Sequence, residues 1–469
     1  MQNCQFGIIG LGTMGRNLLL NIADHQFSCA GYDKNTDQVN LLNKEKESRP
    51  IEAFQELEPF IESLQTPRSI LLLVPAGKIV DDVIAELVPL LSKGDIIVDA
   101  GNSYFKDTEA RAKKLSEQGY HFFGTGVSGG EEGARKGPSM MPGGDRKAYE
   151  ILKDVFEAIA AKVNNEPCVT YIGPGGAGHY VKMVHNGIEY ALMQLIAETY
   201  EVMKKGLRLD NEEIGSIYKK WNAGRLQSFL LEITTDIFAY KAPGTQDLLL
   251  DQIKDQARSK GTGKWTSEES MELELPAPTI DIAVSMRNLS KYKSLRESMS
   301  DLYPEDAFDL GQNKDAFLTS LESALYFAMI LTYSQGMHLL YKASKDYHYE
   351  LNPADIAKVW RGGCIIRSAF LADMYEAYKK NPQAEHLLLD PGIQAILKTV
   401  VEPTRNVAAS LTRAGIAIPA LTSTLQYFDA LRTRHMPSNL IQAQRDYFGA
   451  HTYELEGKEG VFHTKWTEA

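Results

Sequence analysis

Near the start of the chain three glycines fall in the pattern Gly10-Leu11-Gly12-Thr13-Met14-Gly15, directly after an apolar run (Phe6 to Gly10) and opening a helical pattern (Met14 to Ala23). Each glycine has a separate use in such a turn: one makes the bend, one lets a pyrophosphate approach the backbone, and one lets helix pack closely on strand. The helix start then offers unpaired amides and the positive end of its dipole to an anion. Asp33 ends the next apolar run, about 20 residues on, where a ribose hydroxyl would lie. Strand, turn, helix and acid together predict a dinucleotide-binding Rossmann unit, and with it a nicotinamide-dependent oxidoreductase.

The alternation continues through the first third of the chain. Ser28 to Tyr32, Ile70 to Val74, Ile96 to Asp99 and His121 to Phe123 read as further strands, with helical patterns such as Lys78 to Leu91 between them. That order predicts a mainly parallel sheet covered on both faces. From Gly178 the strand signal fades. Gly178 to Lys205 is apolar almost all round and reads as a spine joining two domains. Leu321 to Ala343 and Ile393 to Ala414 are helical too, the latter broken or kinked at Pro403, with turns near Pro304 and Pro353. The last thirty residues, with Gly449, Gly457 and Gly460, read as a mostly irregular tail. The predicted architecture is an α/β Rossmann N-terminal domain (1–177), a large all-α domain (178–434) and a C-terminal tail (435–469).

With 469 residues the chain is too long for one ordinary core. Its 61 acidic residues outnumber 50 basic ones, the wrong sign for a protein that neutralises nucleic-acid phosphates. Cys4, Cys29, Cys168 and Cys364 are far apart and form no zinc or redox pair, so no metal site is expected and a reducing compartment is. No signal peptide or membrane-length apolar run is read in the chain, and a cytoplasmic location is expected.

Cofactor choice turns on Asp33 and Lys34. A carboxylate at this place accepts hydrogen bonds from ribose hydroxyls and repels a 2′-phosphate, which favours NAD. The Lys34 ammonium could offset it and tolerate NADP. The bland alternative is that Asp33 only caps a turn.

In Gly178-His179-Tyr180-Val181-Lys182-Met183-Val184-His185-Asn186-Gly187-Ile188-Glu189-Tyr190, the residues Lys182, His185, Asn186 and Glu189 share one helical face. Lys182 and Glu189 then lie roughly 10 Å apart along the axis. A base and an acid could sit at the two ends of a small substrate. Lysine and glutamate also line ordinary wet helix faces, and the helix alone leaves both readings open.

The chain resembles the decarboxylating 6-phosphogluconate dehydrogenases over nearly its whole length. The matching blocks are Gly124 to Ala134, Gly137 to Gly144, Gly178 to Tyr190, Lys260 to Thr266, Arg361 to Arg367 and Asn439 to His451. The resemblance implies that Lys182 is general base and acid and Glu189 a second acid. In that chemistry, oxidation at the third carbon gives a β-keto acid, loss of carbon dioxide gives an enediol, and protonation of the first carbon gives ribulose 5-phosphate. It also implies cofactor contacts from Gly10, Leu11, Gly12, Thr13, Met14, Gly15, Asp33, Lys34, Asn35, Val74, Pro75, Ala76 and Asn102. Substrate contacts are implied from Asn102, Ser128, Gly129, Gly130, His185, Asn186 and Tyr190, with Lys260 and Arg287 at the phosphate. Arg445 and His451 would enter the partner's site in a homodimer.

Two departures bear on the cofactor. Many relatives have Asn-Arg-Thr where this chain has Asp33-Lys34-Asn35, and Val-Lys-Ala where it has Val74-Pro75-Ala76. The first removes the fork that would grip a 2′-phosphate and adds a carboxylate, and the second removes one cation near the cofactor. The segment around Arg287 matches poorly apart from the arginine. A related β-hydroxyacid dehydrogenase, or a dinucleotide-binding module without catalysis, are the rival readings.

Overall fold

The computed structural model describes residues 4–304 and 313–467. The N-terminal part is a seven-stranded sheet of order β3-β2-β1-β4-β5-β6-β7. Its strands are β1 (Phe6–Ile9), β2 (Cys29–Tyr32), β3 (Ile51–Phe54), β4 (Ser69–Leu72), β5 (Ile96–Asp99), β6 (His121–Ser128) and β7 (Ser139–Gly144). All neighbours are parallel except β6 and β7. The central strands are buried along their whole length, Phe-Gly-Ile-Ile in β1 and Ser-Ile-Leu-Leu in β4, as strands covered on both faces must be. Ile9 is level with Tyr32 on one side and Leu72 on the other, so Gly10, Asp33 and Leu73 leave the sheet at the same height. That is the switch point where strand order reverses and where dinucleotides bind in such sheets.

Two strands escape a reading of the sequence. β3 is only four residues long and follows a proline. β7 carries Pro142, Gly143 and Gly144, which read as a turn; a proline is tolerated because β7 is the last strand of the sheet. The segment after it covers the outer edge, with Met140 N donating to Cys168 O and Ile172 N to Pro142 O.

The spine is a helix from Ala177 to Glu201, extended by a π-helical turn to Gly206. Its first turns rest on the β6–β7 hairpin through glycines. A Cβ on Gly178 would stand 2.3 Å from Met141 O, and one on Gly143 2.2 Å from Gly178 N. Likewise a Cβ on Gly126 would meet the Lys182 Cβ at 2.4 Å, and one on Gly124 the His179 ring at 2.5 Å. Helix backbone therefore lies directly on strand backbone. Around the spine pack the helices Thr262–Glu272, Pro278–Ser290, Lys314–Asp346 and Pro419–Leu431, which form one large apolar core.

Three expectations need correction. The break allowed for at Pro403 does not occur: the helix Pro391–Arg413 continues past it, with Ile393, Leu397 and Val400 before it and Val407 and Leu411 after it all buried in the same core. The tail is ordered: a helix (Ser438–Gly449) and a hairpin (Tyr453–Leu455 with Lys458–Phe462) close around the buried Asp446. That carboxylate accepts from Thr452 N, Thr464 N and the Trp466 indole. Finally, Lys314–Asp346 is long and apolar enough to cross a membrane by composition, but 72% of its apolar window is buried inside the protein, as in a core helix. The turn expected at Pro304 leads into residues 305–312, outside the described ones.

Because the spine has no room for a side chain at its seat, Gly178→Ala is expected to destabilise the fold by about 1–3 kcal/mol. Thermal unfolding measures this, and an unchanged melting temperature would show the seat to be loose.

Candidate active site

The cofactor crevice opens above β1, β2 and β4. It is a cavity of about 660 Å³ lined by Gly10, Gly12, Asp33, Lys34, Val74, Pro75, Asp82 and Glu86 among others. Gly15 packs against Gly10 so tightly that a Cβ would lie 1.8 Å from Gly10 O, while Gly12 has open space where its side chain would be. The helix Thr13–Asp24 has Gly12 as its N-cap, and no side chain caps it. Its first-turn amides are thus left for an anion, and the residues present fit a dinucleotide pyrophosphate.

Asp33 does cap: Oδ2 accepts from Leu11 N at 2.7 Å and Oδ1 from Asn35 N at 2.8 Å. It fixes the glycine turn and its own loop together, and each oxygen keeps a lone pair for a ribose hydroxyl. Asn35 spends its side chain capping the next helix at Asp37 N. Lys34 is paired with Glu86 at 2.7 Å. Glu86 and Asp82 escape the sequence reading, since a helix facing solvent gives no sign of which turn borders a crevice.

The predicted face of the spine is buried at Lys182, His185 and Asn186, and Glu189 is half-buried beside it. Burial lowers the Lys182 amine to about 8, against an opposing pull from Glu189. Burial raises the Glu189 carboxyl, with Lys182 and Arg287 opposing. Burial, then Lys182, holds His185 well below its ordinary value, so it is neutral. Ser128 Oγ lies 3.2 Å from His185 Nε2 and receives the Ile365 amide at 3.4 Å. On the other side of the ring, Nδ1 meets Asn186 Oδ1 at 3.2 Å and Lys182 Nζ at 3.4 Å. The arrangement can take one proton at Lys182 and deliver another from Glu189.

The Arg287 guanidinium stacks on the Tyr190 ring at 3.5 Å, and Gly263 packs on the other part of that ring. The block Lys260 to Thr266 is thereby joined to the spine, with Thr266 Oγ1 donating to Met183 O at 2.8 Å. Gly129 and Gly130 follow Ser128 at the start of a short helix, both with positive φ. Asn102 and Lys260 are exposed. Arg445 and His451 are exposed on the tail, whose helix packs on its own hairpin, so one chain does not bring them to Lys182 through that packing. Cys364, whose thiol lies in the field of Lys182, and the Ile365 amide were not singled out from sequence; the Gly362-Gly363 pair before them was the available sign.

Holding Lys182 in this site strains the fold. In the unfolded chain the amine titrates near 10.5 and in the folded one near 8. Between these values the unfolded state binds more protons, so stability rises with pH through that window. Lys182→Met should therefore be more stable than wild type by on the order of 3 kcal/mol below pH ~8, the gap closing toward pH ~10.5. Denaturant titrations at several pH values check this, and a pH-independent gap would contradict it.

Residues 5–173 match the family described as the NAD binding domain of 6-phosphogluconate dehydrogenase, and residues 178–466 match its C-terminal domain. A Bacillus subtilis protein named 6-phosphogluconate dehydrogenase, NADP(+)-dependent, decarboxylating is 47% identical over 99% of this chain and 100% of its own length. A Shigella flexneri 6-phosphogluconate dehydrogenase, decarboxylating, is 45% identical over the full length of both. The structure of Plasmodium falciparum 6-phosphogluconate dehydrogenase superposes with a TM-score of 0.96 at 42% identity, over 99% of this chain and 100% of that one. Matched by both domain models of the family and 45–47% identical to members over nearly its whole length, the chain belongs to the 6-phosphogluconate dehydrogenase family.

Proposed function

We propose that this chain oxidatively decarboxylates 6-phosphogluconate to ribulose 5-phosphate and carbon dioxide, with NAD preferred over NADP. The observation that carries the reaction is the buried Lys182, lowered to about 8, beside a Glu189 raised by the same burial. When bound, the nicotinamide supplies the hydride acceptor. Lys182, in its neutral form, takes the proton of the third-carbon hydroxyl. It returns that proton to the carbonyl oxygen as carbon dioxide leaves, which gives the enediol. Glu189, protonated, then delivers a proton to the carbon that lost the carboxylate, the first carbon of the pentulose, while Lys182 takes the proton of the neighbouring enediol hydroxyl, which becomes the ketone. Ser128, His185 and Asn186 hold the hydroxyls between them, and Arg287, stiffened by its stack on Tyr190, faces the phosphate end with Lys260. A module that only bound a dinucleotide would have no use for this pair.

The cofactor preference rests on charge. Three carboxylates, Asp33, Asp82 and Glu86, line the crevice; Glu86 is paired with Lys34 and Asp82 with Lys78, so the charge of Asp33 is the one in excess. A 2′-phosphate would meet net negative charge there, whereas ribose hydroxyls would find acceptors. The NADP dependence in the name of the Bacillus subtilis relative belongs to that protein; the local residues are the reason to read this chain otherwise.

The working unit is a homodimer with shared sites, in the cytoplasm. The tail exposes Leu440, Ile441, Tyr447, Phe448 and Val461, a set of apolar side chains suited to burial against a second copy. The four cysteines are all buried and far apart in sequence, which suits a reducing compartment.

Purified protein with 6-phosphogluconate should yield reduced nicotinamide and carbon dioxide in equal amounts; reduction without carbon dioxide overturns the reaction. The kcat/KM with NAD should exceed that with NADP, and the opposite preference by about tenfold, ~1.4 kcal/mol, overturns the cofactor reading. Lys182→Met and Arg445→Ala should each be nearly inactive alone. Co-expressed, they should recover activity, because a mixed dimer holds one site with both Lys182 and the partner's arginine intact. No recovery in isolated mixed dimers would contradict shared sites.

A further inference from the structure

His179 lies one turn ahead of Lys182 on the spine and is 1% exposed. Its ring fills the notch that Gly124 leaves on β6. On one side Nδ1 is 2.7 Å from the hydroxyl of the buried Thr108, in the helix Phe105–Glu117. On the other, Nε2 has no hydrogen-bond partner and faces the main-chain carbonyls of Asp99 and Gly101. The carbonyl oxygens before Nε2 attract a proton there and repel a lone pair. Nδ1 is then bare, and Thr108 donates to it.

Those two carbonyls belong to the loop that presents Asn102. Asp99 closes the loop from within, Oδ1 accepting from Gly101 N at 3.0 Å and Oδ2 from Ser103 Oγ at 2.6 Å. Arg111 stands 3.6 Å from the same carboxylate and also bonds Asp81 and the Gly77 carbonyl, at the end of the Val74-Pro75-Ala76 turn. The Asn102 loop is thus braced from the cofactor side by Arg111 and from the catalytic helix by His179. Packing alone would be served by a phenyl ring, which fills a similar notch without burying two polar nitrogens.

We propose that His179 is a positioning residue: held by Thr108 and directed at the carbonyls of Asp99 and Gly101, it fixes the Asn102 loop relative to Lys182. The inference rests on the roles given above to Asn102 and Lys182. Bound substrate is then gripped at Asn102 at a set distance from the base, with no need to order the loop at each turnover.

The test is a double-mutant cycle, read on whichever hydroxyacid the wild type oxidises, so that wild-type turnover judges the reaction and the cycle judges His179. His179→Phe should lower kcat/KM for the hydroxyacid at least tenfold, with the KM for the nicotinamide changed less than threefold. His179→Gln, which keeps an amide N–H near Nε2, should recover most of the loss. In an Asn102→Ala background His179→Phe should add less than twofold. If His179→Phe folds poorly, Thr108→Val removes the hydrogen bond at Nδ1 and should show a smaller loss that also vanishes in Asn102→Ala. Equal losses in both backgrounds, or no loss at all, overturn the proposal.

Discussion

Backbone contact between the spine helix and the β6–β7 hairpin is what the site depends on. Gly124, Gly126 and Gly143 on the sheet and Gly178 on the helix remove every side chain that would hold the two apart. The helix is drawn in until the Cβ of Lys182 rests over Gly126, and the lysine begins its run beneath the surface of the cofactor domain. A second set of small contacts, Gly187 against Thr266 and Gly263 against Tyr190, brings the next helix onto the same spine. Two domains with separate cores thereby share one rigid element, and the residues that must act together are three or four apart on it.

The electrostatics follow from that packing. A lysine on an ordinary helix face is charged and wet. Here close approach removes water from Lys182, His185 and Glu189 together, and the three respond in the direction that favours their neutral forms. Burial is the largest cause for each, and mutual attraction between Lys182 and Glu189 only moderates it. No separate activating device is needed for the base, because the seat of the helix already supplies one. The expense is borne by stability, as at many catalytic groups.

Much of this is legible in the sequence where local chemistry and spacing agree. The glycine turn, Asp33 and the spacing of Lys182, His185, Asn186 and Glu189 are local patterns, and they announce themselves. β7 does not, since a strand with Pro142 and two glycines has its reason in the helix lying across it. Glu86 and Asp82 are read as a solvated helix face until the fold puts that face beside the crevice. The tail shows the same limit: its order comes from Asp446, which gathers amides and an indole from residues up to twenty positions away. Pro403 signals a break that tertiary burial on both sides overrides.

The central claim is that the seating of the spine, by itself, makes Lys182 a base near neutral pH. Its most direct test is a site-resolved titration of the Lys182 amine in the full-length protein without substrate, followed by NMR of carbon-13-labelled lysine and assigned by its loss in Lys182→Arg. The account predicts a midpoint at about 8. A midpoint at the ordinary lysine value of about 10.4 would contradict it.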